Sequence, residues 1–207
     1  MAKRRIHSWP VRLTHWINAF GMACMFMSGW AIYNASPLFS FRFPPALTLG
    51  GWLGGALAWH FAVMWLLVFN GLAYVLYGLA SRHFKRDLLP ITGTAVKRDL
   101  GAALRFRLVH EKGVYNAVQR LMYWLVLAAG VLMVVSGLAI WKPIQLQVLV
   151  ALLGGYDFAR YVHFSAMAAI AAFVVVHLAL VLLVPKTLLP MITGGVRPLE
   201  SGKPEHE

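Results

Sequence analysis

The sequence predicts an all-α integral membrane protein, a bundle of four transmembrane helices with both termini in the cytoplasm. The chain has 207 residues, of which 60% are hydrophobic and 13% charged, whereas soluble domains carry about 25% charged residues. Four long segments contain no Asp, Glu, Lys or Arg, namely 13–41, 43–81, 121–141 and 161–185. Because about 20 apolar residues cross the hydrocarbon core of a bilayer, each segment can hold one span.

The basic residues predict the orientation of these spans. Of the 19 Lys and Arg residues, 16 lie at the start of the chain, between residues 82 and 120, or after the last span. With four spans, these three regions fall on one side of the membrane, which the positive-inside rule assigns to the cytoplasm. The net charge of +12 therefore indicates membrane topology, and nucleic acid is not an expected partner. We expect a multi-pass protein of the bacterial inner membrane, with lipid around it.

The predicted elements follow in chain order. The first span, about residues 10–33, begins at Ser8-Trp9-Pro10, a pattern typical of a helix start. The second span covers about residues 52–79, the third about 117–141 and the fourth about 159–184. Residues 1–190 would form the membrane domain, 81–115 a basic cytoplasmic loop, and 191–207 a cytoplasmic tail. Between the third and fourth spans, residues 143–156 are apolar but too short to cross, which predicts an external interfacial helix. No internal repeat is predicted.

Four of the eight histidines fall inside the predicted spans: His15, His60, His163 and His177. An ionisable group inside a membrane is costly and indicates a functional site. The direction of each span places His15 and His177 toward the cytoplasm, and His60 and His163 in the outer half. On the fourth span, 14 residues separate His163 from His177, which puts both on one helix face with about 21 Å between them.

Two histidine pairs stacked across the bilayer are the arrangement that two bis-histidine b haems require, because neutral imidazole is a good axial ligand for haem iron. The single cysteine, Cys24, excludes a CxxCH motif for covalent haem attachment. A proton relay would usually need intramembrane carboxylates, which the four spans lack. A single zinc site would need its ligands at one depth.

Several residues near the histidines could serve these haems. Arg12 and Arg160 each lie three residues before a histidine and are candidate partners for haem propionates, although each could also be a topology-setting charge. Four glycines could let a flat macrocycle lie against the backbone, or could equally serve close helix packing: Gly21, Gly29, Gly130 and Gly137.

At these residues the chain resembles the bacterial di-haem cytochrome b subunits of membrane-bound Ni/Fe-hydrogenases and formate dehydrogenases. The matching pieces are Arg12-Leu13-Thr14-His15-Trp16-Ile17-Asn18, His60, Tyr115-Asn116-Ala117-Val118-Gln119-Arg120 with Tyr123-Trp124, and the Arg160, His163 and His177 spacing. The resemblance implies that His15 and His177 ligate an inner haem and His60 and His163 an outer one. It also implies that Asn116 and Gln119 lie beside a quinone site. Their alternative role is that of polar residues at a helix start.

Three further stretches look like a subgroup that accompanies a periplasmic molybdopterin oxidoreductase of the sulfite-oxidase type: 136–143, 154–157 and 191–194. The predicted function is thus an electron-transfer subunit of an oxidoreductase complex, which moves electrons between the quinone pool and a periplasmic molybdopterin or iron–sulfur partner. Two alternatives remain open. One is a free-standing di-haem oxidase that reduces quinone with electrons from superoxide, and the other is a transporter or assembly factor without haem.

Overall fold

The structure is a computed structural model that describes residues 3–5, 7–81, 92–104 and 116–198. Its helices are α1 (Trp9–Ala35), α2 (Leu53–Ala80), α3 (Gly93–Leu104), α4 (Ala117–Trp141), α5 (Gln147–Leu152), α6 (Tyr156–Leu183) and α7 (Leu188–Thr193). Short 3-10 turns cover Pro45–Leu47 and Pro185–Thr187. Much of the predicted loop 81–115 and of the predicted tail 191–207 lies outside the described residues.

Among the described residues, three helices are long and apolar enough to cross a membrane: α2, α4 and α6. Their surfaces are strongly apolar, as Leu182 shows with 80% of its area exposed, which suits contact with lipid. Helix α1 has a similar length of 27 residues but is more polar, because it contains Arg12, His15 and Asn18. The helical fold class is confirmed, and the fourth span stays a prediction.

Residues at the helix ends explain where α1 and α6 begin. In α1, the cap residue Ser8 has extended backbone and Pro10 lies in the first turn, where the missing N–H of proline costs nothing. The short helix α5 corresponds to the interfacial segment predicted between the third and fourth spans. It is followed by Gly154 and Gly155 with φ of +81° and +109°. Glycine adopts these angles without strain, and they turn the chain into α6.

Helices α1 and α2 form one tightly packed hairpin. The side chain of Asn70 in α2 donates hydrogen bonds to the Thr14 carbonyl (2.9 Å) and to Oδ1 of Asn18 (2.8 Å) in α1. Further along, Gly21 lies against the side chain of Leu67. Small residues and side-chain amides of this kind hold helices together in lipid, where the hydrophobic effect gives no preference for helix contact.

Helices α4 and α6 form a second hairpin, with small residues at the contact. Ala139 and Ala159 are fully buried and Ala166 is nearly so, which lets the two backbones approach closely. Helices that belong to different hairpins share less backbone contact.

The two ends of the described chain are joined. Strand β1 (Lys3–Arg5) pairs antiparallel with β2 (Val196–Pro198). Beside them, the backbone N–H of His7 donates to the Gly194 carbonyl at 3.1 Å, and Nε1 of Trp16 donates to the Met191 carbonyl at 3.3 Å. The sequence predicts only helices, so this small sheet is an addition to the predicted fold. It places the first and last elements at the same end of the bundle.

Helix α3 is the described part of the basic loop, and it is fastened to the start of α4. The Asp99 carboxylate, which is buried, accepts a hydrogen bond from the Ala117 backbone N–H at 2.9 Å and another from Nε of Arg98 at 3.0 Å. These two bonds, the first more than the second, lower the pKa of Asp99 below its ordinary value of 3.8. Asp99 is therefore ionised at neutral pH, and its stabilising effect is lost only as the pH falls through that lowered pKa.

Candidate functional site

His60 and His163 are each held by a serine from the other helix of the same hairpin. Oγ of Ser28 in α1 lies 3.1 Å from Nδ1 of His60 in α2. Oγ of Ser136 in α4 lies 3.0 Å from Nδ1 of His163 in α6. Both serines are fully buried. Neither serine is predicted from the sequence as a site residue.

The serine hydroxyl groups fix the protonation of these imidazoles. Each hydroxyl has one proton, which it donates to backbone carbonyls of its own helix, at 2.7 Å to Cys24 and at 2.6 Å to Leu132. Each oxygen therefore accepts from the histidine, so Nδ1 carries the ring proton. The lone pair on Nε2 is then left for a metal.

The serines belong to a repeated pattern that the sequence contains. Residues 28–32 read Ser-Gly-Trp-Ala-Ile and residues 136–140 read Ser-Gly-Leu-Ala-Ile. The partner helices repeat a second pattern, Ala-x-x-x-His-Phe, at 56–61 and 159–164, and the alanine of each is fully buried. The prediction that the chain has no internal repeat is therefore wrong. These short matches are the signal that could have identified the serines.

Two of the four predicted glycines lie directly against the imidazoles. A Cβ atom on Gly137 would lie 3.3 Å from Cε1 of His163, and one on Gly29 would lie 3.6 Å from Cε1 of His60. Gly21 packs against Leu67, whereas a Cβ on Gly130 would meet nothing within 4 Å among the described residues. Gly21 therefore serves the packing of α1 against α2, whereas Gly29 and Gly137 make room for the histidine rings. Gly130 leaves open space on the surface of α4.

His15 and His177 come together at the other level of the bundle. Their ring centroids lie 6.1 Å apart, with the planes at 66°. Two metal–imidazole bonds of about 2 Å each, with ~1 Å from each nitrogen to its ring centre, give a separation of about 6 Å. Phe173 stacks on His177 at 5.9 Å, and Trp16 meets His15 edge-on at 5.4 Å. The spacing of this pair suits two axial ligands of one metal.

His60 and His163 lie near enough to each other to interact electrostatically, and each is held by a buried serine. Among the described residues, no three His, Cys, Asp or Glu side chains gather as a metal-binding group. The intramembrane histidines thus occur two by two. A haem needs only two axial ligands from the protein, because its macrocycle supplies the other four nitrogens.

Polar atoms near both levels fit an anionic group. Nε of Arg12 and Nε1 of Trp30 are buried and have no hydrogen-bond acceptor among the described residues. Arg12 lies one turn before His15, and Trp30 lies two residues after Ser28. Burial, and secondly the charge of Arg12, lower the pKa of His7 below its ordinary value of 6.5. The carboxylates of haem propionates could accept from such donors.

Arg160, the other predicted propionate partner, contacts Ser36 and Asp157 within the protein. Its Nη2 donates to the backbone carbonyl of Ser36 at 2.6 Å and lies 3.1 Å from Oγ of the same residue. Its Nη1 lies 3.9 Å from Asp157. Arg160 therefore links the start of α6 to the end of α1 on the side of His60 and His163.

Asn116 and Gln119, predicted beside a quinone site, form a capping box at the start of α4. Oδ1 of Asn116 accepts from the Gln119 backbone N–H at 2.8 Å, and Oε1 of Gln119 accepts from the Asn116 backbone N–H at 3.1 Å. Each side-chain oxygen thus satisfies a free N–H of the helix end. The amide N–H groups are the atoms that remain to donate to a quinone oxygen.

Comparisons with known proteins identify relatives of the whole described bundle. The profile of a family described as prokaryotic cytochrome b561 matches residues 6–194. A protein of Azospira oryzae is 48% identical over 190 residues, which cover 91% of this chain and 96% of that protein. It is YedZ1, named provisionally as a protein-methionine-sulfoxide reductase subunit. No solved structure matches the chain.

Substituting Gly137 and Gly130 by alanine should separate ring packing from helix propensity. Alanine favours a helix over glycine by about 1 kcal/mol, so Gly130→Ala should raise the unfolding temperature in detergent. Gly137→Ala should gain less or lose stability, because its Cβ would press on His163. Equal gains at both positions would show that α4 does not position this imidazole.

Proposed function

The chain belongs to the prokaryotic cytochrome b561 family, a family that binds b-type haem. We propose that it binds two such haems, at two depths within the inner membrane. Axial ligation would come from His15 and His177 at the inner level and from His60 and His163 at the outer level. The observation that carries the proposal is the pairing of these four histidines, two by two, between the hairpins. Bound haem supplies an iron that takes up and releases one electron at a time.

We propose that α1 also crosses the membrane, which gives four spans in total. The pairing of β1 with β2 supports this, since ends that lie together require an even number of crossings. The basic residues favour the cytoplasm for that end. His15 and His177 would then lie near the cytoplasmic surface, and His60 and His163 near the periplasm.

We propose that electrons enter from a quinol at the cytoplasmic side and leave for a periplasmic molybdopterin oxidoreductase. The name of the Azospira oryzae relative supports a methionine-sulfoxide reductase as that partner. A quinol releases two electrons and two protons as it becomes a quinone, and reduction of a sulfoxide to a thioether and water consumes the same number. Electrons therefore have to flow outward.

The residues of the chain have separate roles in this function. The amide N–H groups of Asn116 and Gln119 would hold a quinone oxygen at the start of α4, which Asp99 fastens to α3. Arg12 would bind an inner propionate, and Arg160, which also donates to the Ser36 carbonyl, would bind an outer one. Neutral imidazole is the form that binds a metal, and the contacts of Nδ1 in His60 and His163 would leave Nε2 of each ring for the iron.

Replacing single histidines tests the ligand pairs. We expect His163→Ala and His60→Ala to retain about one haem per chain, both losing the same spectral component, because the imidazoles of the inner level stay intact. His15→Ala and His177→Ala should lose the other component. Haem quantitation and reduced-minus-oxidised spectra of the purified variants give the answer. Loss of both haems from a well-folded single variant, or of neither, would contradict the pairing.

Substituting Asn116 tests the quinone contact, provided that the capping box is preserved. Serine at this position can still cap the helix but has no amide N–H, so Asn116→Ser should slow reduction of the haems by quinol. A lost hydrogen bond of ~1 kcal/mol corresponds to about fivefold. Stopped-flow absorbance measures the rate, and dithionite reduction is the control for intact haems. An unchanged rate with quinol would exclude Asn116 from the site.

The direction and the partner can be tested in proteoliposomes. Haems reduced by quinol should be reoxidised when the proposed partner, a molybdopterin oxidoreductase, is added together with methionine sulfoxide. Neither addition alone should suffice. Rapid quinone reduction by superoxide, without any partner protein, would instead identify the free-standing oxidase. Protein that folds without haem would contradict both.

A further inference from the structure

We propose that Ser28 and Ser136 lower the reduction potential of the outer haem by accepting hydrogen bonds from both of its axial histidines. The inference rests on the proposed ligation of that haem by His60 and His163. The two buried hydroxyl groups would then have a function beyond helix packing, and the two haems would differ in reduction potential.

The hydroxyl geometry supports an electronic effect on the ligands. Each oxygen lies within 3.1 Å of Nδ1 of a histidine on another helix, while its own proton is committed to backbone carbonyls. An acceptor at Nδ1–H moves electron density onto the ring and raises the basicity of Nε2. A more basic axial ligand stabilises ferric over ferrous iron, so the haem is harder to reduce.

Among the described residues, the inner pair has no equivalent acceptor. The rings of His15 and His177 contact each other and the aromatic rings of Trp16 and Phe173. No hydroxyl or carboxylate bonds to either imidazole within the part of the chain that the structure describes. Hydrogen bonding to the histidine ligands is one means by which a protein tunes a haem, and here it would act on one haem of the two.

The same contact in both hairpins argues against coincidence. A buried serine that only needed to satisfy its hydroxyl could do so with the carbonyl four residues before it, as Thr14 does with Pro10 at 2.9 Å. Ser28 and Ser136 make that bond and also reach a histidine, and in both cases a glycine follows and lies against the ring. The Ser-Gly pair thus supplies the acceptor and the room for the imidazole.

The test is redox potentiometry of the purified holoprotein. We expect Ser28→Ala and Ser136→Ala to retain both haems and to shift the midpoint potential of the outer haem upward, with a larger shift in the double variant. The potential of the inner haem should stay at its wild-type value. Thr14→Ala is the matched control, because it removes a hydroxyl that bonds only to helix carbonyls next to His15. It should shift neither potential.

The outcomes separate this inference from the function on which it rests. An outer potential that is unchanged in haem-replete variants, or an equal shift of both haems, would overturn the role of the serines and leave the haem ligation intact. If an alanine variant loses the outer haem, Ser136→Thr, which keeps the hydroxyl, should retain it with the wild-type potential. Loss of the outer haem from the threonine variant too, or an outer potential in that variant that differs from the wild-type value, would overturn the inference. Failure of the proposed function would be seen instead as full haem content after His163→Ala.

Discussion

The hydrogen bond between a serine hydroxyl on one helix and an imidazole on the next is the contact on which the site depends. Inside lipid no water can satisfy an imidazole N–H, so an acceptor has to come from the protein. Ser28 and Ser136 supply it at 3.1 and 3.0 Å. In doing so they orient each ring, fix its tautomer and tie the two helices of a hairpin at one depth.

The two hairpins are related versions of one unit. In each, a Ser-Gly pair on the first helix faces an Ala-x-x-x-His-Phe segment on the second. The spacing from serine to histidine differs, at 32 residues in one hairpin and 27 in the other, because the connecting segments differ in length. The hairpins differ at the other level, where the first contributes His15 from its first helix and the second contributes His177 from its second.

Much of this could be predicted from the sequence, because lipid imposes simple rules. Uncharged segments of 20 residues or more require helices, and histidines within them stand out, so α2, α4, α6 and the four histidines are predictable. Ser28 and Ser136 are not, since a serine in a membrane helix usually satisfies itself on its own backbone. Only the position of the neighbouring helix shows the second contact. The sheet of β1 and β2 was missed for a related reason, because three-residue strands have no recognisable period and depend on a partner nearly 200 residues away.

The position of α6 in the chain has a consequence for biogenesis. One member of each histidine pair, His163 or His177, lies on this helix, and it is the last of the long helices to be synthesised. Neither pair is complete while the ribosome is still making the first three. A nascent or truncated chain that lacks α6 therefore has isolated imidazoles and no two-ligand site at either depth. If the histidines hold haem as proposed, insertion would have to wait until α6 has joined the bundle, and an incomplete subunit would not take up a redox-active cofactor.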